Sequence, residues 1–245
     1  MLIFDLETDG FLDAVTKIHC LVIYDTDTKQ FSQFNSQSPG DIEDGLHFLQ
    51  RGCAVCGHNI LKYDIPVIQK LYPWFTPPTR KVDTLILTRL LFPETGEQDD
   101  KLIAKGKFPP KHRGAHRLEA WGYRLGVLKD EYTDGWEEWS QKMQDYCVQD
   151  VVVTRTLLDY CNKRPLPTEA IDIEHAVAPI IVRQERNGFG FDEKAALALL
   201  ATLNKEKLRL SEELKARFGW WWARDGGATF VPKKDLPRVG YVAGA

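Results

Sequence analysis

Asp5, Glu7, Asp64, Tyr146 and Asp150 stand in this order along 245 residues, and their types suit hydrolysis of a phosphodiester assisted by two divalent cations. Asp5 and Glu7 lie two residues apart at the end of an apolar run, so the alternation of a strand sends both side chains to one face. Asp64 follows Asn59-Ile-Leu-Lys-Tyr63 at a strand-to-helix junction, where a carboxylate can either cap the helix or reach a metal. Tyr146 and Asp150 are four residues apart, on one face of a helix, and Asp145 points elsewhere. Cys147, Val148, Val151 and Val152 supply the buried faces there, so a carboxylate among them needs a partner to offset desolvation, and a metal is such a partner. Mg²⁺ takes oxygen donors and keeps several waters, which a cluster of Asp and Glu allows, whereas thiolates or imidazoles select other metals. A tyrosine hydroxyl can hold the attacking water in line without acting as a strong base.

These residues must be positioned by a mixed α/β framework. Met1 to Asp5 and Ile18 to Tyr24 read as strands, and Gln30 to Phe34 as a third, antiparallel to the second through a short connection. Asp41 to Gln50 carries Ile42, Leu46 and Leu49 at helical spacing, and Ala54 to His58 returns as a strand. Pro66 falls in the first turn of the helix that Asp64 opens. Val82-Asp83-Thr84 reads as a short strand before a helix over Leu85 to Leu91. Residues 92–113 hold three prolines and two glycines and read as a long exposed loop. Leu118 to Leu125 and Trp139 to Leu158 read as helices. After Arg164-Pro165-Leu166-Pro167 the pattern is helical again, over Ile171 to Glu185 and from Asp192 to Phe218, ahead of a glycine- and tryptophan-rich end.

Composition narrows the class. With 43 % hydrophobic residues the chain can bury a substantial core, and its longest apolar stretches, such as Ala176 to Val182, fall well short of the roughly 20 residues that span a membrane. Met1 leads into Leu2-Ile3-Phe4 with no basic leader, so the cytoplasm is the expected location and no membrane partner is expected. Five cysteines suit a reducing compartment; Cys53 and Cys56 form no zinc or redox pair, because a strand puts them on opposite faces. The net charge of −3 excludes a strongly basic duplex binder, yet Lys101 to Arg124 holds seven Lys and Arg against one acid, Glu119, a patch that could neutralise phosphates or serve as a solvated face.

Phe4-Asp5-Leu6-Glu7-Thr8, His58-Asn59 with Tyr63-Asp64, and Tyr146 with Asp150 resemble the three motifs of the DEDD superfamily of 3′–5′ exonucleases, in its tyrosine-containing branch. Leu118 to Gly126, Asp145 to Thr154 and Gln184 to Asp192 are similar to the proofreading region of family A DNA polymerases of podovirus-type bacteriophages, as are Val15 to Cys20 and Tyr241 to Ala245. The resemblance implies a ribonuclease H-like mixed sheet flanked by helices, with a helical C-terminal appendage. It implies an exonuclease domain over 1–165 and the incomplete helical start of a polymerase thumb over 166–245. It also implies that Asp5 bridges two Mg²⁺ ions, with Mn²⁺ as a substitute, that Glu7 and Asp150 hold the ion that activates water, that Asp64 supports the second, and that Tyr146 orients the nucleophile. The expected partner is a single-stranded or frayed DNA 3′ end, with a polymerase half on the same or a separate chain, in the host cytoplasm if the chain is phage-encoded.

The same resemblance limits what is expected. The sequence stops where the thumb would continue, so polymerisation by this chain alone and a host processivity partner are not expected. Residues 92–113 and 132–136 look shorter than in the phage polymerases. An RNA-trimming nuclease of the same superfamily would share the carboxylates. A noncatalytic DNA-binding or polymerase-docking module would be expected to have lost at least one of them, and none is missing. Trp220-Trp221-Trp222 reads as a hydrophobic cap to the last helix rather than a base-stacking platform, Asp83-Thr84 as a strand-end turn rather than a fifth ligand, and His116 as a surface histidine.

Overall fold

The computed structural model describes residues 1–127, 132–164 and 166–219. Its centre is a five-stranded sheet made of β1 (Leu2–Thr8), β2 (Ile18–Asp25), β3 (Gln30–Asn35), β4 (Ala54–Gly57) and β5 (Arg80–Asp83), in the order β3-β2-β1-β4-β5. The short connections make β1, β2 and β3 antiparallel neighbours. The helical crossovers α1 (Asp41–Arg51) and α2 (Asp64–Leu71) make β4 and β5 parallel to β1. The mixed sheet with flanking helices is the expected fold class.

Alternation along the strands loads both faces. Phe4, Leu6, Leu21 and Ile23 pack with Ile42, Leu46 and Leu49 of α1 and Ile65, Val67 and Ile68 of α2. Ile3, Cys20, Val22 and Tyr24 pack on the other side with Trp121 of α5 (Leu118–Leu125) and Met143, Cys147, Val151 and Leu157 of α6 (Gln141–Cys161). Asp5 and Glu7 share the parity of Ile3, and so the α6 side of β1. Four of the cysteines are buried, while Cys53, just ahead of β4, is exposed.

The region read as a loop over 92–113 instead contains α4 (Gly96–Ile103), ahead of a 3-10 turn at Pro110–His112. What orders it is a non-local ion pair. Asp99, fully buried, accepts from Arg124 Nε at 2.8 Å and from the Gly114 N–H at 2.8 Å, and the Arg124 guanidinium lies over the rings of Phe108 and Trp121. Local proline and glycine content gives no hint of a contact 25 residues away. Arg124 therefore leaves the basic face counted from the sequence, and Arg113 is paired with Asp100, while Lys101, Lys105, Lys107 and Arg117 stay exposed. His116 is half-buried against Trp121 rather than a surface residue, and burial, helped by Arg124 and Arg89, lowers its pKa.

The chain divides into two compact units, Met1–Asn187 and Gly188–Ala245. The first carries the sheet, α3 (Thr84–Leu91) and α7 (Thr168–Asn187); the second carries α8 (Glu193–Phe218), capped by Asp192, which accepts from the Ala195 N–H at 2.8 Å. Trp220-Trp221-Trp222 and Tyr241 to Ala245 lie outside the described residues. No described helix is long and apolar enough to cross a membrane.

Candidate active site

Where β1 parts from β4, an open strand edge appears. The two strands pair only at Leu2↔Val55 and Ile3↔Cys56, because the chain leaves the sheet after Gly57. That exit needs glycine: a Cβ on Gly57 would sit 2.8 Å from the Phe4 carbonyl oxygen and against the Ile60 side chain. Asn59 then takes the left-handed conformation, with φ of 67°, which its short amide side chain tolerates. The chain climbs beside β1 to Asp64.

Asp64 is the first residue of α2, with Tyr63 in the cap position and no side-chain cap bond there, so it does not act as the helix cap. Its carboxylate instead receives the N–H of Leu6, the residue between Asp5 and Glu7. Only 4 % of Asp64 is exposed. Burial pushes its carboxyl pKa up to about 8, with the charges of Asp83 and Asp150 adding to the effect and its own backbone N–H and that of Leu6 opposing it.

α6 approaches the same stretch of β1 from the other side. Ser140 caps it by accepting from the Met143 N–H at 3.1 Å, which fixes the helix register. One turn on, the Cys147 thiol donates to the Asp5 carbonyl at 3.3 Å and faces Asp5 Oδ2 at 3.7 Å. Donor atoms of Asp5, Glu7 and Cys147 all lie within 4.8 Å of one another. Cys147 sits between Tyr146 and Asp150; Asp150 is buried, and its charge reaches Asp64. Asp5 and Glu7 thus flank Leu6, whose N–H meets Asp64 of α2, while α6 brings Cys147 to Asp5 and Asp150 within electrostatic reach of Asp64. Tyr146 precedes Asp150 by one turn and is packed by the rings of Tyr132 at 5.6 Å and Trp136 at 6.2 Å.

The donor set is one that a hard cation would choose. Burial, first, and contact with Cys20 hold the Cys147 thiol well above the usual thiol pKa, so it stays protonated as a hydrogen-bond donor to Asp5 rather than a soft thiolate ligand. What remains are carboxylate oxygens, two of them on nearly buried groups whose charge a divalent cation would balance.

Beside Glu7 opens a cleft of about 720 Å³, lined among others by Thr8, Phe11, Asn59, Tyr63 and Trp136. A slightly larger depression of about 790 Å³ on the α2 and α7 surface contains none of the five predicted residues. Phe11 is 87 % exposed, yet its loop is held from three sides. Asp9 accepts from the Thr16 and Lys17 N–H groups, Lys70 Nζ donates to the carbonyls of Leu12, Asp13 and Val15, and the Tyr63 hydroxyl donates to the Gly10 carbonyl at 2.6 Å. Trp136 is fixed by the fully buried His19, whose Nε2–H donates to the Trp136 carbonyl at 2.8 Å; burial lowers the His19 pKa and keeps it neutral.

Phe11, Trp136 and Cys147 were not singled out from the sequence as parts of the site. An aromatic residue next to the turn pair Asp9-Gly10, and the aromatic run Tyr132, Trp136 and Trp139 ahead of α6, were the available signals. Asp83 is, as expected, a strand-end residue: its carboxylate caps α3 by accepting from the Leu85 N–H at 2.9 Å.

Residues 2–162 match the model of the RNase_H_2 family, described as RNase_H superfamily. Two curated relatives are the DNA-directed DNA polymerase of Escherichia phage T7, 36 % identical over 289 residues, and that of Enterobacteria phage T3, 35 % identical over 298 residues. Each alignment takes in 98 % of this chain but only 41 % and 42 % of those proteins, so the chain spans about two fifths of the length of the curated relatives it matches. A solved structure described as the apo form of a nuclease superposes with a TM-score of 0.52 at 17 % identity, covering 78 % of this chain and 87 % of that one, a likeness of fold. The family match takes in the whole sheet, α1 to α6 and all five predicted residues, and on it the chain belongs to the RNase H superfamily.

Proposed function

We propose that the chain is a metal-dependent 3′–5′ exonuclease that removes nucleotides from DNA 3′ ends, the proofreading module of a phage replicative polymerase. The observation that supports this most is the approach of Asp64, and through it Asp150, to the β1 stretch that carries Asp5 and Glu7, beside an aromatic-lined cleft. The two phage polymerase relatives add the DNA context. On this reading the nuclease chemistry belongs to residues 1–165, and 166–245 form the helical start of a thumb.

Asp5, Glu7, Asp64 and Asp150 would hold two divalent ions, Mg²⁺ with Mn²⁺ as a substitute. Bound there, such ions supply a water-derived nucleophile near neutral pH and stabilise charge on the leaving oxygen. The protein does the rest. Tyr146, wedged by Tyr132 and Trp136, presents its hydroxyl to orient the attacking water. Phe11 and Trp136 offer aromatic faces on which the terminal bases of a single strand can stack, an interaction that tolerates any base. The Cys147 thiol and the Leu6 N–H fix Asp5 and Asp64, so the carboxylates do not have to reorganise when the substrate arrives.

Tyr146→Phe keeps the ring packing and removes only the hydroxyl. It is expected to lower kcat by about 10- to 100-fold with little change in KM, measured side by side on DNA and RNA oligonucleotides with free 3′ ends. Faster turnover on RNA by the wild-type chain would favour the RNA-trimming reading, and an unchanged kcat in Tyr146→Phe would remove the tyrosine from the mechanism.

A further inference from the structure

We propose that Asp83 and His175 are positioning residues for Asp64, forming a relay from α7 through the end of β5 to the metal-binding edge of β1. The role of Asp64 in this proposal rests on the exonuclease reading; the relay itself is a chain of hydrogen bonds.

Asp83 is 2 % exposed, and its carboxylate does more than cap a helix. Oδ1 accepts from the Asn59 N–H at 2.8 Å as well as from Leu85, and Oδ2 accepts from the Leu61 N–H at 3.1 Å. Asn59 and Leu61 belong to the segment that leaves β4 and delivers Asp64. The rest of that segment is a tight turn built on the same residues: the Tyr63 N–H donates to the Asn59 carbonyl at 3.1 Å and the Ile65 N–H to the Ile60 carbonyl at 3.0 Å. Asn59 is in the left-handed region, so the turn has little room to adopt a second shape while both amides are held. A shift of Asp83 is therefore passed on to the residue whose carboxylate meets Leu6.

Asp83 is itself held from α7. Its N–H donates to His175 Nε2 at 2.8 Å, and His175 Nδ1 is 2.8 Å from the Ile171 carbonyl one turn earlier. A carbonyl oxygen can only accept, so the proton lies on Nδ1 and Nε2 is left as the acceptor that the Asp83 amide requires. The consequence of this bond is that the placement of α7, outside the sheet and outside the predicted catalytic motifs, is tied to Asp64 by two side chains and one short turn.

The chemistry dictates the variants. Asp83→Asn retains one acceptor oxygen and turns an amide NH₂ group toward a backbone N–H, so it cannot hold both Asn59 and Leu61. His175→Leu removes the acceptor, and His175→Gln restores one at the reach of Nε2. Kinetics on a single-stranded DNA 3′ end and calorimetric binding of Mn²⁺ alone are measured on the full chain. Asp83→Asn is expected to lower kcat by about 10- to 100-fold with KM within about twofold, and to weaken Mn²⁺ binding by a similar factor. His175→Leu is expected to lower both by about 3- to 10-fold, and His175→Gln to return them to within about twofold of wild type. A residue with a merely structural role would lower the melting temperature and leave Mn²⁺ affinity and the kcat of the folded protein alone; that result in His175→Leu, or a His175→Gln no better than His175→Leu, overturns the relay. Should Asp83→Asn fail to fold, the two His175 variants decide the matter. Should the wild-type chain degrade no nucleic acid, the exonuclease reading fails by itself, and Mn²⁺ affinity across the same variants still judges the relay.

Discussion

Asp5→Ala is expected to abolish metal-dependent degradation of DNA 3′ ends, by more than ~10³-fold in kcat, while the protein keeps its fold. Two features make Asp5 the most sensitive position. Its carboxylate lies within 4.8 Å of a Glu7 carboxylate oxygen and of the Cys147 thiol, and on the exonuclease reading it is shared by both ions. It is also only half-buried, and β1 stays paired with β2 on either side of it through Phe4↔Ile23 and Leu6↔Leu21, so truncation opens no large cavity. Residual stability near wild type together with lost turnover separates a chemical defect from unfolding. Full activity in Asp5→Ala, on a protein that melts like the wild type, would end the assignment.

Asp64→Asn is expected to be inactive yet more stable than the wild-type chain in EDTA at high pH. The sign follows from the direction of the shift. The carboxyl of Asp64 titrates near pH 8 in the fold, against 3.8 for an ordinary aspartate, so the folded state holds the proton more tightly than the unfolded one. The stabilisation that this proton brings is fully present below about pH 4 and is lost progressively as the pH rises toward and through 8. The metal-free wild-type protein therefore carries an unfavourable buried charge at pH 9. The neutral amide introduced by Asp64→Asn carries no such charge, and its oxygen can still accept the Leu6 N–H. Because Asp150 and Asp83 share the field around Asp64, a gain of about 2 kcal/mol at pH 9 is expected, or about 5 °C in melting temperature for a protein of this size. The same argument makes stabilisation of the wild type by Mg²⁺ grow between pH 6 and pH 8, since the cation must displace a proton. Thermal melts in EDTA and in Mg²⁺ at pH 6 and pH 9 read both effects. Equal destabilisation of Asp64→Asn at the two pH values would contradict them.

The residues proposed for the site were legible because their spacing is local. Two-residue alternation puts Asp5 and Glu7 on one side of a strand, and a four-residue step puts Tyr146 and Asp150 on one side of a helix, whatever the tertiary context. What the spacing could not convey is that α2 and α6 both reach the Asp5-Leu6 stretch of β1. Asp64 has the sequence context of a helix cap, and only its burial and the Leu6 N–H reveal another use. Asp83 is legible as a strand-end turn but not as the acceptor for Asn59 and Leu61, because both donors are more than 20 residues away. The loop assigned to 92–113 fails for a related reason: the pair of Asp99 and Arg124 orders α4 through burial, and composition registers only the prolines and glycines around it. Phe11 and Trp136 carry no sequence signal that by itself marks a site; the cleft that brings them beside Glu7 does.

One oligonucleotide, labelled at its 5′ end in one reaction and at its 3′ end in another, tests the central claim most directly when incubated with the wild-type chain in Mg²⁺ and in EDTA. The account predicts that in Mg²⁺ the 3′ label leaves at once as a mononucleotide, the 5′-labelled strand shortens as a ladder from its 3′ end, and neither happens in EDTA. Cleavage within the strand, loss of the 5′ label first, or an intact oligonucleotide in Mg²⁺ would contradict it.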